Sequence, residues 1–260
     1  SFDLISDHVK TIQSQLGLEV NGTIDAQLIK TLEFTPRCGV SDFNKSATSQ
    51  AVKWGQKTLT YFIESYVRNL STADQDDIIK LAFQNWTDVA DIQFQRVTSK
   101  QNSNLVISTG SGRGAGFDGP GNTLAWAYLP PDTSYRGQLL MRFDLDETWI
   151  KNSNTRGILM LNVACHEFGH MLGLEHSRYQ NALMAPYYSP NIPKPQAQDD
   201  IPRIQSLYGS PKPTTPPPPP PSPPSPPPTN PGQKYKLEVE VDDLSKITIN
   251  GKKLVDFSLI

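Results

Sequence analysis

Three of the chain's four histidines, His166, His170 and His176, fall in one run, "ACHEFGHMLGLEHS" at residues 164–177. The stretch "TRGILMLNVACHEFGH" carries a long apolar helix pattern. On a helix, positions four apart face the same way, one turn apart. His166 and His170 therefore project together, and that spacing lets two imidazole nitrogens reach one zinc ion at about 2.0–2.1 Å. Gly173 permits the positive φ that stops a helix, so the chain can turn back and offer His176 as a third ligand. Three protein ligands leave one zinc position open to water, the arrangement of a catalytic zinc and not of a structural one. Glu167 lies beside His166 without sharing its direction, which leaves it free to take a proton from that water. Zinc brings the pKa of such a water toward about 7 and polarises a scissile carbonyl. The expected chemistry is metal-assisted hydrolysis of a peptide bond, with Glu167 as general base.

The full pattern HExxHxxGxxH is the metzincin signature, which a methionine turn completes. Here "NALMAPYY" places Met184 eight residues after His176. A lone methionine most often fills a core, but at this distance Met184 reads as the hydrophobic floor beneath the ligands.

The elements that must position these residues can be read from periodicity. Residues 1–34 read as two short helices. "SDHVKTIQSQLGL" puts Val9, Ile12 and Leu16 on one face, and "TIDAQLIKTLEF" opens with a Thr/Asp cap. Residues 58–145 look strand-rich, in "LTYFIES", "IQFQRV", "NLVIST", "TLAWAY" and "LLMRFDL". One helix interrupts them, "STADQDDIIKLAFQNWTDV", with Ile78, Ile79, Ala82, Phe83 and Trp86 on a shared face. The histidine helix and a last one at "AQDDIPRIQSLYG" follow. One sheet with packed helices, an α+β fold, is the economical architecture.

Residues 211–232 hold 14 of the chain's 23 prolines and should form a polyproline II spacer. Its reach is roughly 60–70 Å, at about 3.1 Å per residue. After it, "YKLEVEVDDLSKITINGKKLVDFSLI" alternates apolar and polar residues, and Asn250-Gly251 suits a type I′ hairpin turn. At most this is a three-strand meander, too short to fold readily alone.

Composition excludes several classes. A formal charge of −2 gives no basic field for nucleic acid. No apolar run approaches the roughly 18 residues of a membrane span. Asn-x-Ser/Thr triplets at Asn21, Asn44, Asn69 and Asn85 fit a secretory route. With no initiator Met and no signal peptide, the sequence reads as a processed form or a fragment. The two cysteines, Cys38 and Cys165, could pair with each other.

Taken in order, "PRCGVSD", "LTYFIESY", "AFQNWTDV", "FDGPGNTLAWAY", "FDLDETW", "VACHEFGHMLGLEHS", "ALMAPYY" and "DDIPRIQSLYG" make residues 8–209 resemble a matrix metalloproteinase. The resemblance implies an α+β catalytic domain with a five-stranded mixed sheet and three helices over residues 46–210. A short helical propeptide at 1–45 would precede it, and the Pro-rich linker 211–232 and a small β segment at 233–260 would follow. It implies a latent secreted endopeptidase of the extracellular matrix, acting as a monomer on extended protein or peptide substrates and switched on by an activating protease. The edge at Leu124-Ala125 would hydrogen-bond the substrate as an added strand. Pro186 and Tyr188 would wall the pocket for the side chain after the cut, and Asn162 would line it. Cys38 would occupy the fourth zinc position of the latent form, its thiolate excluding water, while Arg37 and Asp42 brace its loop. The family usually has proline where this chain has Ser41. Cys165 would be core filling.

The resemblance also implies a calcium site with carboxylates from Asp118, Asp144 and Glu147 and carbonyls from Gly119, Gly121 and Thr123, hard oxygens that suit Ca²⁺. The family carries a second, structural zinc held by three histidines and an aspartate. Here the matching positions read Trp126 and Arg142, and only His8 remains outside the catalytic group, so that zinc is expected to be absent. The competing reading is a weakly active protein that binds matrix or cell wall through its Pro-rich arm and C-terminal segment.

Overall fold

The computed structural model describes residues 2–40, 52–131, 136–212, 248–249 and 252–253. Two helices come first, α1 (Phe2–Gln15) and α2 (Ala26–Phe34). Asp25 caps α2, its carboxylate accepting from the Leu28 N–H at 2.7 Å. Gln13 ties the turn between them by bonding to both Asn21 and Thr23.

The main sheet holds six strands among the described residues: β1 (Arg37–Cys38), β2 (Thr58–Ile63), β3 (Gln93–Arg96), β4 (Leu105–Gly110), β5 (Thr123–Ala127) and β6 (Leu139–Asp144). Their order is β1-β5-β6-β4-β2-β3. The pairs β2–β3, β2–β4 and β4–β6 are parallel, and β5 runs antiparallel to β6. This is the expected five-stranded mixed sheet, with the two-residue β1 added along the free edge of β5. In β2, "TLTYFI" alternates, with Leu59, Tyr61 and Ile63 buried. In β4 the residues Leu105, Val106 and Ile107 are all buried, as suits a central strand covered on both faces.

Helix α3 (Thr72–Thr87) crosses between β2 and β3. Ser71 caps it by accepting from the Asp74 N–H. Its inward face is the expected one, with Gln75 added: Gln75, Ile78, Ile79, Ala82, Phe83 and Trp86. Gln75 is buried because its side chain satisfies the loop before the helix, bonding to Val67 N–H and to the carbonyls of Val67 and Leu70.

Strands β7 (Trp149–Ile150) and β8 (Ile158–Leu159) pair in parallel. The histidine helix α4 (Met160–Met171) starts only after them, later than the apolar pattern suggests. The Ile158 N–H donates to the Thr148 carbonyl at 2.8 Å, which keeps the backbone extended up to Leu159. Helix α4 lies against α3: Phe168 stacks on Phe83 at 3.9 Å between centroids, and the Trp86 indole donates to the Cys165 carbonyl. Helix α5 (Asp200–Tyr208) completes the three helices of this region. Its Tyr208 hydroxyl donates to the Leu172 carbonyl, tying α5 to the end of α4.

The chain divides into two compact units, residues 1–213 and 214–260. Within the second, β9 (Thr248–Ile249) and β10 (Lys252–Lys253) pair antiparallel. The Asn250-Gly251 turn, the third strand of the expected meander and nearly all of the linker lie outside the described residues.

Gly169 sets the depth of this packing. A Cβ there would lie 2.3 Å from the Met184 sulfur and 2.9 Å from the Trp86 ring. Both neighbours are fully buried. Gly169→Ala is therefore expected to destabilise the fold by about 1–3 kcal/mol, the usual cost of overpacking, measured as a lower urea midpoint at unchanged slope.

Candidate metal centre and cleft

Helix α4 presents His166 and His170 on one face, as their spacing requires. Their orientation is fixed from behind. His166 Nδ1 lies 2.7 Å from the Leu183 carbonyl and His170 Nδ1 lies 2.7 Å from the Leu174 carbonyl. A carbonyl only accepts, so each Nδ1 carries its proton and each neutral ring turns an Nε2 lone pair outward. Those two Nε2 atoms stand 3.1 Å apart. Gly173, with φ of 100°, reverses the chain where expected, and a Cβ there would meet the Val52 carbonyl at 2.2 Å. His176 then joins the group from the following loop, its ring 4.7 Å from that of His170 and 5.3 Å from that of His166.

The fourth member comes from far away in sequence. Cys38 Sγ lies 3.5 Å from His170 Nε2. The donor atoms of Cys38, His166, His170 and His176 all lie within 4.8 Å of one another. Both cysteines are free thiols, so the Cys38–Cys165 pairing is not formed. Burial raises the Cys38 thiol well above its ordinary pKa, with the neighbouring Glu167 carboxylate adding to the effect. Burial also lowers His170, helped by the other two histidines.

Four donors fit a metal ion, and the geometry asks for one. Two lone pairs facing each other at 3.1 Å repel unless a cation stands between them. Glu167 is fully buried, and neither carboxylate oxygen has a well-formed hydrogen bond to the protein. Burial pushes it up to about 8, opposed in part by the nearby Cys38 thiol. A buried carboxylate with so few donors is costly and is suited to receive a proton from a guest.

The floor and walls are assembled by groups the sequence reading did not single out. Asp200 is fully buried at the start of α5, and burial raises its pKa. Its carboxylate accepts from the N–H groups of Leu183, Met184 and Gln196. The Met184 turn, whose Leu183 carbonyl orients His166, thus hangs from Asp200. An acidic pair at a helix start reads most simply as a dipole complement, which hid the inward-facing role of the second acid.

A cleft opens beside His166. Its lining includes Leu124, Asn162, Glu167, Pro186 and Tyr188, which places the three expected pocket residues together. Asn162 donates to the Ser189 carbonyl, and Tyr188 accepts from the Leu159 N–H. The segment around Cys38 lies in this cleft as a strand. Arg37 N–H donates to Asn122 O at 2.6 Å, and Gly39 N–H to Ala125 O at 2.8 Å. On the opposite wall Cys38 N–H donates to Pro186 O at 2.9 Å, and Tyr188 N–H to Pro36 O at 2.8 Å. Asp42 and Ser41 lie outside the described residues. Arg37 Nε donates to the Cys38 carbonyl.

The expected calcium ligands come near one another without converging as the histidines do. Among the described residues, the histidine–cysteine group is the one cluster of three or more such side chains whose donor atoms gather around a point. Glu147 accepts from the Gly121 N–H and Asp118 from the Thr123 N–H. Asp144 Oδ1 accepts from Asp146 N–H, while the buried Oδ2 has no partner. Burial raises both Asp144 and Glu147, and the nearby carboxylates add to it.

Trp126 and Arg142 stand opposite each other on β5 and β6. The Arg142 guanidinium sits 5.6 Å above the indole, and Trp126 Nε1 donates to the Ala115 carbonyl at 2.9 Å. Gly116, with φ of 92°, presses on the same ring.

Residues 53–209 match the matrixin family. The chain belongs to that family. It is 40% identical over 210 residues to matrix metalloproteinase-18 of Xenopus laevis, covering 78% of this chain and 44% of that protein. It is 39% identical over 218 residues to interstitial collagenase of Bos taurus, covering 82% and 45%. Macrophage metalloelastase of Rattus norvegicus is 37% identical over 215 residues, covering 80% and 45%. The chain thus spans less than half the length of these relatives. Matrixins are zinc metalloendopeptidases, so zinc is the metal the family brings to the four-donor group of this matrixin.

Proposed function

We propose that this matrixin is a latent, secreted zinc endopeptidase that cleaves extended protein substrates. The single observation that carries the proposal is the gathering of three histidines and Cys38 beside the fully buried Glu167. His166, His170 and His176 hold the ion. When bound, zinc supplies a Lewis acid that polarises a carbonyl and acidifies water. Glu167 does the proton work: it accepts the proton of the attacking water on a carboxylate oxygen and passes it to the leaving amine nitrogen. Its burial favours holding that proton between the two events.

The substrate takes the place that residues 36–39 now fill. An extended peptide bonds to the β5 edge at Leu124-Ala125 on one side and to the Pro186–Tyr188 wall on the other. Its side chain after the cut enters the pocket beside Asn162. Residues 1–45 act as the propeptide, 46–210 as the catalytic domain, 211–232 as a spacer to the β segment at 233–260. Cys38 blocks in two ways, as a thiol ligand and as the centre of a strand that satisfies both walls. An activating protease that severs this segment from the domain opens both. Free cysteine and secretion are compatible because Cys38 is shielded at the metal. That interstitial collagenase of Bos taurus is, by its name, an enzyme acting on collagen supports an extracellular substrate.

Calcium binding at Asp118, Asp144 and Glu147, with the carbonyls of Gly119, Gly121 and Thr123, is part of the same proposal. The orphaned Asp144 oxygen supports it. The second zinc of the family has no fit here. A guanidinium stands at Arg142 and an indole without a lone pair at Trp126, and the indole holds the loop before Phe117 by donating to the Ala115 carbonyl.

Three outcomes are expected. Glu167→Ala should keep its zinc and lose roughly 10²–10⁴-fold in peptide turnover, checked by metal content and kcat on a quenched peptide; near-parental turnover would reject the role. Cys38→Ser should cleave peptide without processing, yet less than the fully processed enzyme. Its hydroxyl is a poor ligand, but the four wall hydrogen bonds, at about 0.5–1.5 kcal/mol each, remain. Silence equal to that of the parent would mean the strand alone blocks the site. Elemental analysis after removal of loose metal should find one zinc per chain, and two would show ligands unrecognised here.

A further inference from the structure

His176 is the one histidine of the group that α4 does not carry, so helix geometry cannot fix it. Side chains from outside its loop grasp the backbone on both flanks. On one flank Gln15 Nε2 donates to the Ser177 carbonyl at 2.8 Å, and Ser177 N–H donates to the Met184 carbonyl. On the other, Arg203 Nη2 donates to the Glu175 carbonyl at 2.7 Å. That carbonyl belongs to the peptide plane leading directly into His176. The same guanidinium sets Nη1 3.0 Å from Asp199 Oδ2, one helical turn back. A planar fork held at two corners has little freedom left. The pair is sheltered, with side chains 29% and 13% exposed, so solvent screens it less than a surface pair.

Arg203 lies on α5, three residues after Asp200. Asp200 holds the Met184 turn and, through Leu183, the ring of His166. Arg203 holds the approach to His176. The first turns of one helix thereby brace two of the three histidines from behind.

We infer that Arg203 is a positioning residue for His176: it fixes the 175–176 peptide plane and so the direction from which that imidazole reaches the metal. The inference rests on the reading that His176 binds zinc. Removing an outer-shell partner of this kind usually costs about 10–100-fold in metal affinity, and Arg203 acts on the backbone of the ligand.

The test uses the full chain loaded with zinc, as wild type, Arg203→Met, Arg203→Lys and Arg96→Met. Arg96, at the end of β3 on the far edge of the sheet, pairs with Asp76 of α3 and controls for general destabilisation. Two readouts are followed: the rate at which zinc passes to a strong chelator, and the visible ligand-field spectrum after replacement of zinc by Co(II). Arg203→Met should release zinc about 10–100-fold faster and change the Co(II) band intensities. Arg203→Lys should fall between it and wild type, and Arg96→Met should match wild type in both. Arg203→Met that keeps zinc as long as wild type, with an unchanged spectrum, overturns the inference. So does Arg96→Met that releases zinc as fast. A wild-type chain that takes up no zinc overturns the zinc reading itself, and is told apart because all four proteins then fail alike.

Discussion

Two imidazole lone pairs turned toward each other across 3.1 Å, in a place almost without water, are the constraint on which this molecule is built. Left alone, that arrangement would relax: one ring would flip, or take a proton and swing to a new acceptor. It is held because each Nδ1 is bonded to a carbonyl that cannot move. Leu174 is fixed by the turn at Gly173, and Leu183 by the buried carboxylate of Asp200. The strain of the apposition is thus spread over α4, the turn and α5. A cation relieves it, so metal affinity is partly the release of a repulsion that folding imposes.

The close fit of α4 against its neighbours follows from the same need. Gly169 lets the Met184 sulfur and the Trp86 ring approach the helix backbone, and Phe168 stacks on Phe83. A looser core would let the helix rotate by a few degrees, and nitrogens 3 Å apart would lose a common point. Dense packing here determines where two atoms lie as well as how stable the fold is.

Much of this was legible in the chain. The period of four between His166 and His170, the stop at Gly173 and the alternation in β2 each rest on local rules, and each has the expected form. The inward face of α3 was readable except for Gln75, whose burial depends on the loop before it. Helix α4 was read too long because Ile158 and Leu159 are apolar in either state, and only the partner strand β7 decides between them. Asp200 and Arg203 were invisible as site residues for a different reason. Their work is done on backbone groups of segments 16 to 28 residues away, and backbone carries no sequence signal. The strand character of residues 37–38 is likewise a property of the two walls they meet.

In the latent enzyme proposed above, that strand is a ligand on a tether. Its individual contacts are ordinary: a few hydrogen bonds and one sulfur near three nitrogens. Because it is covalently part of the same chain, it meets the cleft intramolecularly, at an effective concentration that for short linkers is on the order of millimolar, so modest affinity would be enough for near-complete occupancy. On the proposed reading, cutting the joining chain would leave every one of those contacts possible and remove only the concentration. The freed segment would then compete at its bulk dilution, orders of magnitude lower, against substrate. One severed peptide bond would act as a one-way step, its direction set by mass action and not by any rearrangement of the catalytic residues.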